Sequence, residues 1–402
     1  MKFLITIARI LVGLLFIFSG LVKANDPHGL SYKMQEFFEI WGVHQFNSWT
    51  LWLSILMNAF EIIAGFALLL GWRIRLFIWL LLLLILFFTF LTGYTYITGK
   101  PANCGCFGDC IPITSKTSFL KDLLLTALIG FLFWQQRKIK ALFTGKANNI
   151  AMLLVIAFSF GIQWYTLNYL PVIDCLPYKK GNNINQQMQM PANAIPDSTV
   201  ITFVYKKDGK DVEFTADQFP EDFNTPPYEF VKRYDKIVRK GSNNTPPIKG
   251  FSLSGITNED STQFVLSRPY AILLFCEDFS VPVSDWQKDF EKLYTEAKAK
   301  NIPVFAVTRQ LEEARQRLGT ASFKDISIFK CDFTAIRTAA RSNPSVYLLE
   351  NGTVKNKQSY RRISKISEDL RRIAVQPVIL PIGIDTLQSR DTTNQPPVIS
   401  NQ

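Results

Sequence analysis

Apolar positions come first in long unbroken stretches and later in short alternating or helically spaced sets. Five stretches, at about 3–22, 50–71, 75–97, 118–135 and 149–170, are long enough to cross a hydrocarbon core of about 30 Å as helices of roughly 20 residues. The third, with LFIWLLLLLILFFTFL, is the plainest. The first follows Lys2 and ends near a VKA that resembles a cleavage site, but its apolar stretch is longer than a signal core. We read it as a span. After it, HGLSYKMQEFFEIWG spaces its apolar residues helically, the pattern of a helix lying along a membrane surface.

Beyond Leu170 the pattern changes. Residues 179–197 are polar and rich in Asn, Gln and Pro, as linkers are. TVITFVYKKDGKDVEFT alternates about KKDGK and predicts a β-hairpin, and FNTPPYEFVKRYDKIVRKGSNNTPP predicts further short edge structure. From about 249, strands and helices alternate: YAILLFCED, SDWQKDFEKLYTEAKAKN, IPVFAVT, LEEARQRL, ISIFK and FTAIRTAARS. The hairpin SVYLLENGTVKNKQ and the helix SKISEDLRRIAV close the unit. The expected organisation is an all-α membrane bundle over 1–140, a fifth span with its exit over 141–178, and a linker and hairpin region over 179–248. An α/β domain over 249–380 and a disordered tail over 381–402 complete it.

Composition adds charge to this picture. The net charge of +11 does not indicate nucleic acid, because many basic residues sit in short loops beside spans and no Lys/Arg run is interleaved with aromatics. Arg73 and Arg75 lie between spans two and three; Arg137, Lys138, Lys140 and Lys146 lie between spans four and five. The positive-inside bias makes both loops and the N-terminus cytoplasmic. Residues 23–49, 96–117 and everything after Leu170 are then outside, so the expected location is a cytoplasmic (inner) membrane with a periplasmic C-terminal half. All six cysteines face the oxidising side. Arg9, near the cytoplasmic end of span one, is expected to snorkel to the headgroups.

The chemistry gathers in PANCGCFGDCIP, where Cys104, Cys106 and Cys110 fall within seven positions. A disulfide between Cys104 and Cys106 would close a very small ring, which makes a good oxidant and a poor staple. Gly105 and Gly108 permit the tight backbone this needs. Three readings stand: thiol–disulfide exchange, a structural staple, or a metal clip, the last short of ligands because neither His28 nor His44 is near in sequence. Cys175 follows the fifth span at about the same depth, and a bridge from it to Cys110 or Cys106 would tie the soluble half to the bundle. Glu61, near the middle of span two by count, is a functional candidate because a carboxylate there is expensive. Gly65 suits close helix packing just below it. Lys121 and Asp122 could pair with each other, or with Lys23 and Asp26.

ARILVGLLFIFSGLVKA, EIIAGFALLLG and CGCFGD…SFLKDLLL resemble the DoxX/MauE group of membrane proteins, and in particular a Bacteroidetes subfamily with an added soluble domain. The resemblance implies a four-helix bundle distantly similar to quinone-linked disulfide-generating membrane proteins, with quinone as the cofactor it suggests. RSNPSVYLLENGTV resembles thioredoxin/TlpA-like proteins, with Pro344 as their cis-proline. Where those relatives carry C-x-x-C, this chain reads FCEDFSVPVSDW, with Cys276 alone at the strand end. Cys276 and Cys331 are expected to be small buried residues. The reading is thiol–disulfide redox at Cys104, Cys106 and Cys110, with Glu61 moving protons or lining a quinone pocket and a periplasmic protein as client. The rival is a non-enzymatic assembly or scaffold subunit with structural disulfides. A transporter gains only from Glu61, since no span shows a helix break.

Overall fold

The computed structural model describes residues 2–101, 105, 107–142, 145–215, 218–219, 223, 228–239, 241, 243–255, 258–319, 323 and 326–377. Cys104, Cys106 and the tail over 381–402 lie outside the described residues.

The first half is helical: α1 (Lys2–Ala24), α2 (Pro27–Ile40), α3 (Thr50–Leu70), α4 (Ile74–Thr98), α5 (Ser115–Trp134) and α6 (Lys146–Tyr169). All but α2 are long and apolar enough to span a bilayer, α3 with the 3₁₀ turn His44–Trp49 that leads into it. This is a multi-pass membrane protein. Between α1 and α3 the backbones nearly touch: a Cβ on Gly65 would lie 2.8 Å from the Gly13 carbonyl oxygen. The four-helix core buries Val12, Phe16, Leu68, Ile78, Leu81 and Ile129. Leu83, Leu124, Leu153 and Trp134 point outward, where lipid replaces water as their solvent.

Arg9 corrects its expectation. Instead of reaching for headgroups, it donates to the Leu68 carbonyl at 2.7 Å, the Leu69 carbonyl at 2.6 Å and the Lys140 carbonyl at 3.0 Å. The last carbonyls of α3 have no helical partner, so a cation caps them. This also joins the two basic loops at one end of the bundle.

Asp26 starts α2, its side chain accepting from the Gly29 amide at 3.2 Å, and Pro27 takes the first helical position. After α6 the short helix α7 (Ile184–Gln187) leads to β1 (Ser198–Lys207) and β2 (Lys210–Thr215), joined through Asp208 and Gly209, both at positive φ as a two-residue turn requires. The expected edge structure is β3 (Glu229–Arg239), a full strand that makes a sheet of order β2-β1-β3. Tyr205 centres its aromatic cluster, ringed by Phe214, Phe219, Phe223, Tyr228 and Phe230.

The α/β unit contains α8 (Thr262–Leu266), β4 (Tyr270–Cys276), α9 (Gln287–Ala299), β5 (Val304–Thr308) and α10 (Leu311–Leu318). It continues with β6 (Ser327–Lys330), α11 (Phe333–Ala339), β7 (Ser345–Glu350), β8 (Thr353–Ser359) and α12 (Ile363–Arg371). The sheet order is β6-β5-β4-β7-β8, with β4, β5 and β6 parallel, β7 antiparallel to β4, and β8 antiparallel to β7. Central β4 is apolar throughout because both its faces are covered: Leu273 and Phe275 face one core, Ile272, Leu274 and Cys276 the other. This is a thioredoxin-like domain.

Candidate functional site

The cysteine loop begins where Gly99, left-handed at φ 69°, ends α4. It returns at Thr114, whose side chain accepts from the Thr117 amide at 3.2 Å and caps α5. Gly105 and Gly108 both take positive φ, and the Gly108 amide donates to the Gly105 carbonyl. Lys33 of α2 lies across Gly105, where a Cβ would meet its side chain at 2.9 Å. Cys110 is bonded to Cys175, with their Cα atoms 4.9 Å apart. Of the two pairings left open for Cys175, this is the one formed. Beside it opens a cleft of about 450 Å³ lined by Gly108, Cys175, Pro246, Pro247, Lys249 and Thr338.

Beneath the loop lies a polar cluster. Glu61 is 1% exposed and its Oε1 is 2.5 Å from Lys23 Nζ, itself 3% exposed. Glu61 Oε2 is buried with no hydrogen-bond partner among the described residues. Asp122 pairs with Lys121 at 2.6 Å and accepts from Thr92 at 3.0 Å. Lys121 and Asp122 therefore pair with each other, while Lys23 turns to Glu61. A cavity of about 30 Å³ touches Ser19, Lys23, Glu61, Lys121 and Asp122, room for one or two waters. Phe107 of the cysteine loop also lines it.

Glu61 lies higher than a count along its span suggests. It packs beside Gly20, one turn from the end of α1 that carries the soluble half. The cavity at Glu61 is too small for a quinone ring. On the other side of Lys23 an apolar groove of about 240 Å³ runs between α2, α3 and α4, with Phe37, Trp41, Met57, Phe87 and Phe88 in its walls. Lys23 and Thr92 are polar groups on its lining, and Gly105 is at its edge. Glu61 is not among the residues that line this groove. Sequence reasoning missed the groove because its walls come from separate helices, each apolar for membrane reasons alone.

The thioredoxin-like domain turns its proline loop onto this surface. Asn343–Pro344 is cis. The Asn343 side chain accepts from the Glu277 amide at 3.0 Å and donates to the Asp278 carbonyl at 3.0 Å, holding the segment that replaces C-x-x-C. Glu277 accepts from Arg337 at 2.8 Å and from the Tyr32 hydroxyl of α2 at 3.1 Å, and Arg337 reaches Gln35 at 2.6 Å. Arg341, 4% exposed, pairs with Asp26 at 2.9 Å and with Asp109 at 2.8 Å. Lys357 of β8, 8% exposed, pairs with Asp174 at 2.6 Å.

Electrostatics follow from this burial. Desolvation, helped by Arg341, lowers the His28 imidazole to about 4, so it is neutral at neutral pH. Desolvation raises the Asp26 carboxyl although Arg341 opposes it. Burial pushes the Cys276 thiol far up and the Cys331 thiol to about 12. Both are unbonded and buried, as expected, and neither is a thiolate nucleophile at neutral pH.

Residues 1–135 match the family "Methylamine utilisation protein MauE", and residues 191–240, which include β1–β3, match a domain of unknown function. Over 178 residues the chain is 26% identical to "Protein TlpB" of Flavobacterium psychrophilum, covering 44% of this chain and 45% of that protein. The chain thus spans less than half the length of that relative. No solved structure matches.

Proposed function

We propose that this membrane protein with a MauE-type bundle carries out thiol–disulfide exchange on the periplasmic side of the inner membrane, through Cys104 and Cys106, with Cys110 as the staple to Cys175 and the N-terminus in the cytoplasm. What supports the reading is the Cys110–Cys175 bond: the segment after α6 and the loop before α5 meet where a disulfide forms, on the side we read as periplasmic from the positive-inside bias. A client thiolate entering by the cleft beside Cys175 attacks a Cys104–Cys106 disulfide, forming a mixed disulfide and releasing one loop thiolate. A second client thiol resolves the mixed disulfide. The client leaves oxidised and the loop is left as a dithiol, two electrons and two protons richer.

A quinone in the groove between α2, α3 and α4 would take up those two electrons and two protons. Lys23, whose ammonium has three N–H groups and gives one to Glu61, stands where a ring oxygen would find a donor. Glu61, tied to Lys23 and facing a water-sized cavity, holds and passes protons. Trapping the full-length protein in graded redox buffers tests the reading. A Cys104–Cys106 pair that titrates at an oxidising potential, and a client that stays reduced with Cys104→Ser, support it. A pair reduced only on unfolding overturns it.

One observation favours a second reading. The face of the thioredoxin-like domain that replaces C-x-x-C is spent on the chain's own α2 and loop, which suits a scaffold subunit with structural disulfides. That reading requires Cys104→Ser/Cys106→Ser to be neutral in cells.

A further inference from the structure

The two bonded cysteines share a local pattern: Asp109 precedes Cys110 and Asp174 precedes Cys175. Each aspartate is gripped by a cation from the thioredoxin-like domain, Asp109 by Arg341 and Asp174 by Lys357. The cations come from different places in that domain, Arg341 from the turn before Pro344 and Lys357 from β8. Both are nearly out of solvent, and Lys357 also lies over the Tyr347 ring, 5.6 Å from its centre. Losing Asp174 would strip Lys357 of its ion-pair partner inside the protein, a cost of several kcal/mol, whereas Arg341 keeps Asp26 at 2.9 Å if Asp109 leaves. A disulfide tolerates Cα separations of only about 4.4–6.8 Å, and each grip acts one residue away from a bonded cysteine.

We propose that Arg341 and Lys357 are positioning residues for the Cys110–Cys175 disulfide, through which docking of the thioredoxin-like domain and oxidation of this cysteine pair favour one another. The domain then governs a sulfur bond without contributing a sulfur to it. Its proline loop acts on the neighbour of a cysteine in the same chain, in place of a client. Reduction adds two electrons and two protons and yields two thiols; the freed segments then carry Asp109 and Asp174 away from their cations. Coupling of this kind is reciprocal: whatever docking contributes to the bond, the bond contributes to docking. The inference does not rest on exchange at Cys104 and Cys106, and its test removes both.

The full chain carrying Cys104→Ser and Cys106→Ser is equilibrated in lipid nanodiscs with mixtures of reduced and oxidised dithiothreitol. Thiols are then alkylated, and peptides bearing Cys110 and Cys175 are quantified by mass spectrometry. Arg341→Ala and Lys357→Met are each expected to move the equilibrium about tenfold toward thiols, which is about 30 mV for a two-electron couple. Arg341→Lys recovers part of that shift. In the parent carrying only Cys104→Ser and Cys106→Ser, reduction speeds amide hydrogen exchange over 27–40 and 333–343 while β4 stays protected. Equilibria within about twofold of the parent in both variants, with β4 protected, overturn the proposal, as does unchanged exchange over 27–40 on reduction. Should Arg341→Ala expose β4, Arg341→Lys and Lys357→Met decide the outcome by the same readings.

Discussion

Glu61 and Lys23 hold opposite charges out of solvent, so removing one strands the other. Glu61→Gln should cost on the order of 3–5 kcal/mol, seen as a lower unfolding midpoint, and Lys23→Met with Glu61→Met should recover most of it. If the pair passes protons, that folded double variant oxidises a dithiol client at least about tenfold slower than the parent. His28 supplies a second residue-level expectation. Its imidazole is at about 4 when folded and about 6.5 when unfolded, so below 6.5 the unfolded chain takes up the proton first. The stability it contributes is complete above about 6.5 and is lost as pH falls toward 4. Arg341, Arg337, Glu277 and Asp278 also act on it, and Asp26, with its raised carboxyl, pulls the other way at the acid end. The difference between parent and His28→Gln unfolding midpoints should therefore shrink between pH 7 and 5. A pH-independent difference removes the role assigned to His28. At this scale the sequence showed which residues were costly, Glu61 above all, and offered Lys121 with Asp122 among the pairings, but not Lys23 with Glu61. Lys23 and Asp26 sit three positions apart, yet one turns to Glu61 in the bundle and the other to Arg341 in the soluble half.

Elements were more legible than contacts, because periodicity is local and pairing is not. The five spans and the strand–helix succession after 249 are where apolar spacing put them, and the Asp208–Gly209 turn joins the hairpin its residues announce. β3 was underestimated: its described side chains are exposed on both faces, Phe230, Val231, Tyr234 and Val238 among them, so no apolar–polar alternation marks it. The closeness of α1 and α3 rests on glycine, and Gly65→Val tests it. The new Cβ meets the Gly13 carbonyl oxygen, a backbone atom that has nowhere to move. Overpacking of this kind costs about 1–3 kcal/mol, read as a fall in thermal midpoint, whereas Gly161→Val on α6, with open space around it, should be silent. Equal effects from the two substitutions would mean that α1 and α3 are not in close backbone contact.

For the whole molecule, two halves with different solvents are joined by charge and sulfur. The 65-residue separation of Cys110 and Cys175 gives the bond about 4 kcal/mol in the chain-entropy account, an upper figure because α5 and α6 are already confined by lipid. Cys175→Ser should lower the midpoint and hasten protease cleavage within 179–197 severalfold, with the five spans still inserted; a cleavage rate like the parent's would show that the ion pairs alone hold the soluble half. The sequence could place Cys175 at the depth of the loop but could not choose between Cys106 and Cys110; the aspartates beside the bonded pair meet cations more than 180 residues further on, which no local pattern announces.

That bond also bears on how the protein is made. Cys110 leaves the ribosome first, and its partner reaches the same aqueous compartment only after two more hydrophobic segments have been threaded in opposite directions. A chain that skips one of those insertions strands its two sulfurs on opposite shores of the lipid. The closed bond is therefore a record, written during biogenesis, that neither of the last two crossings was made without the other.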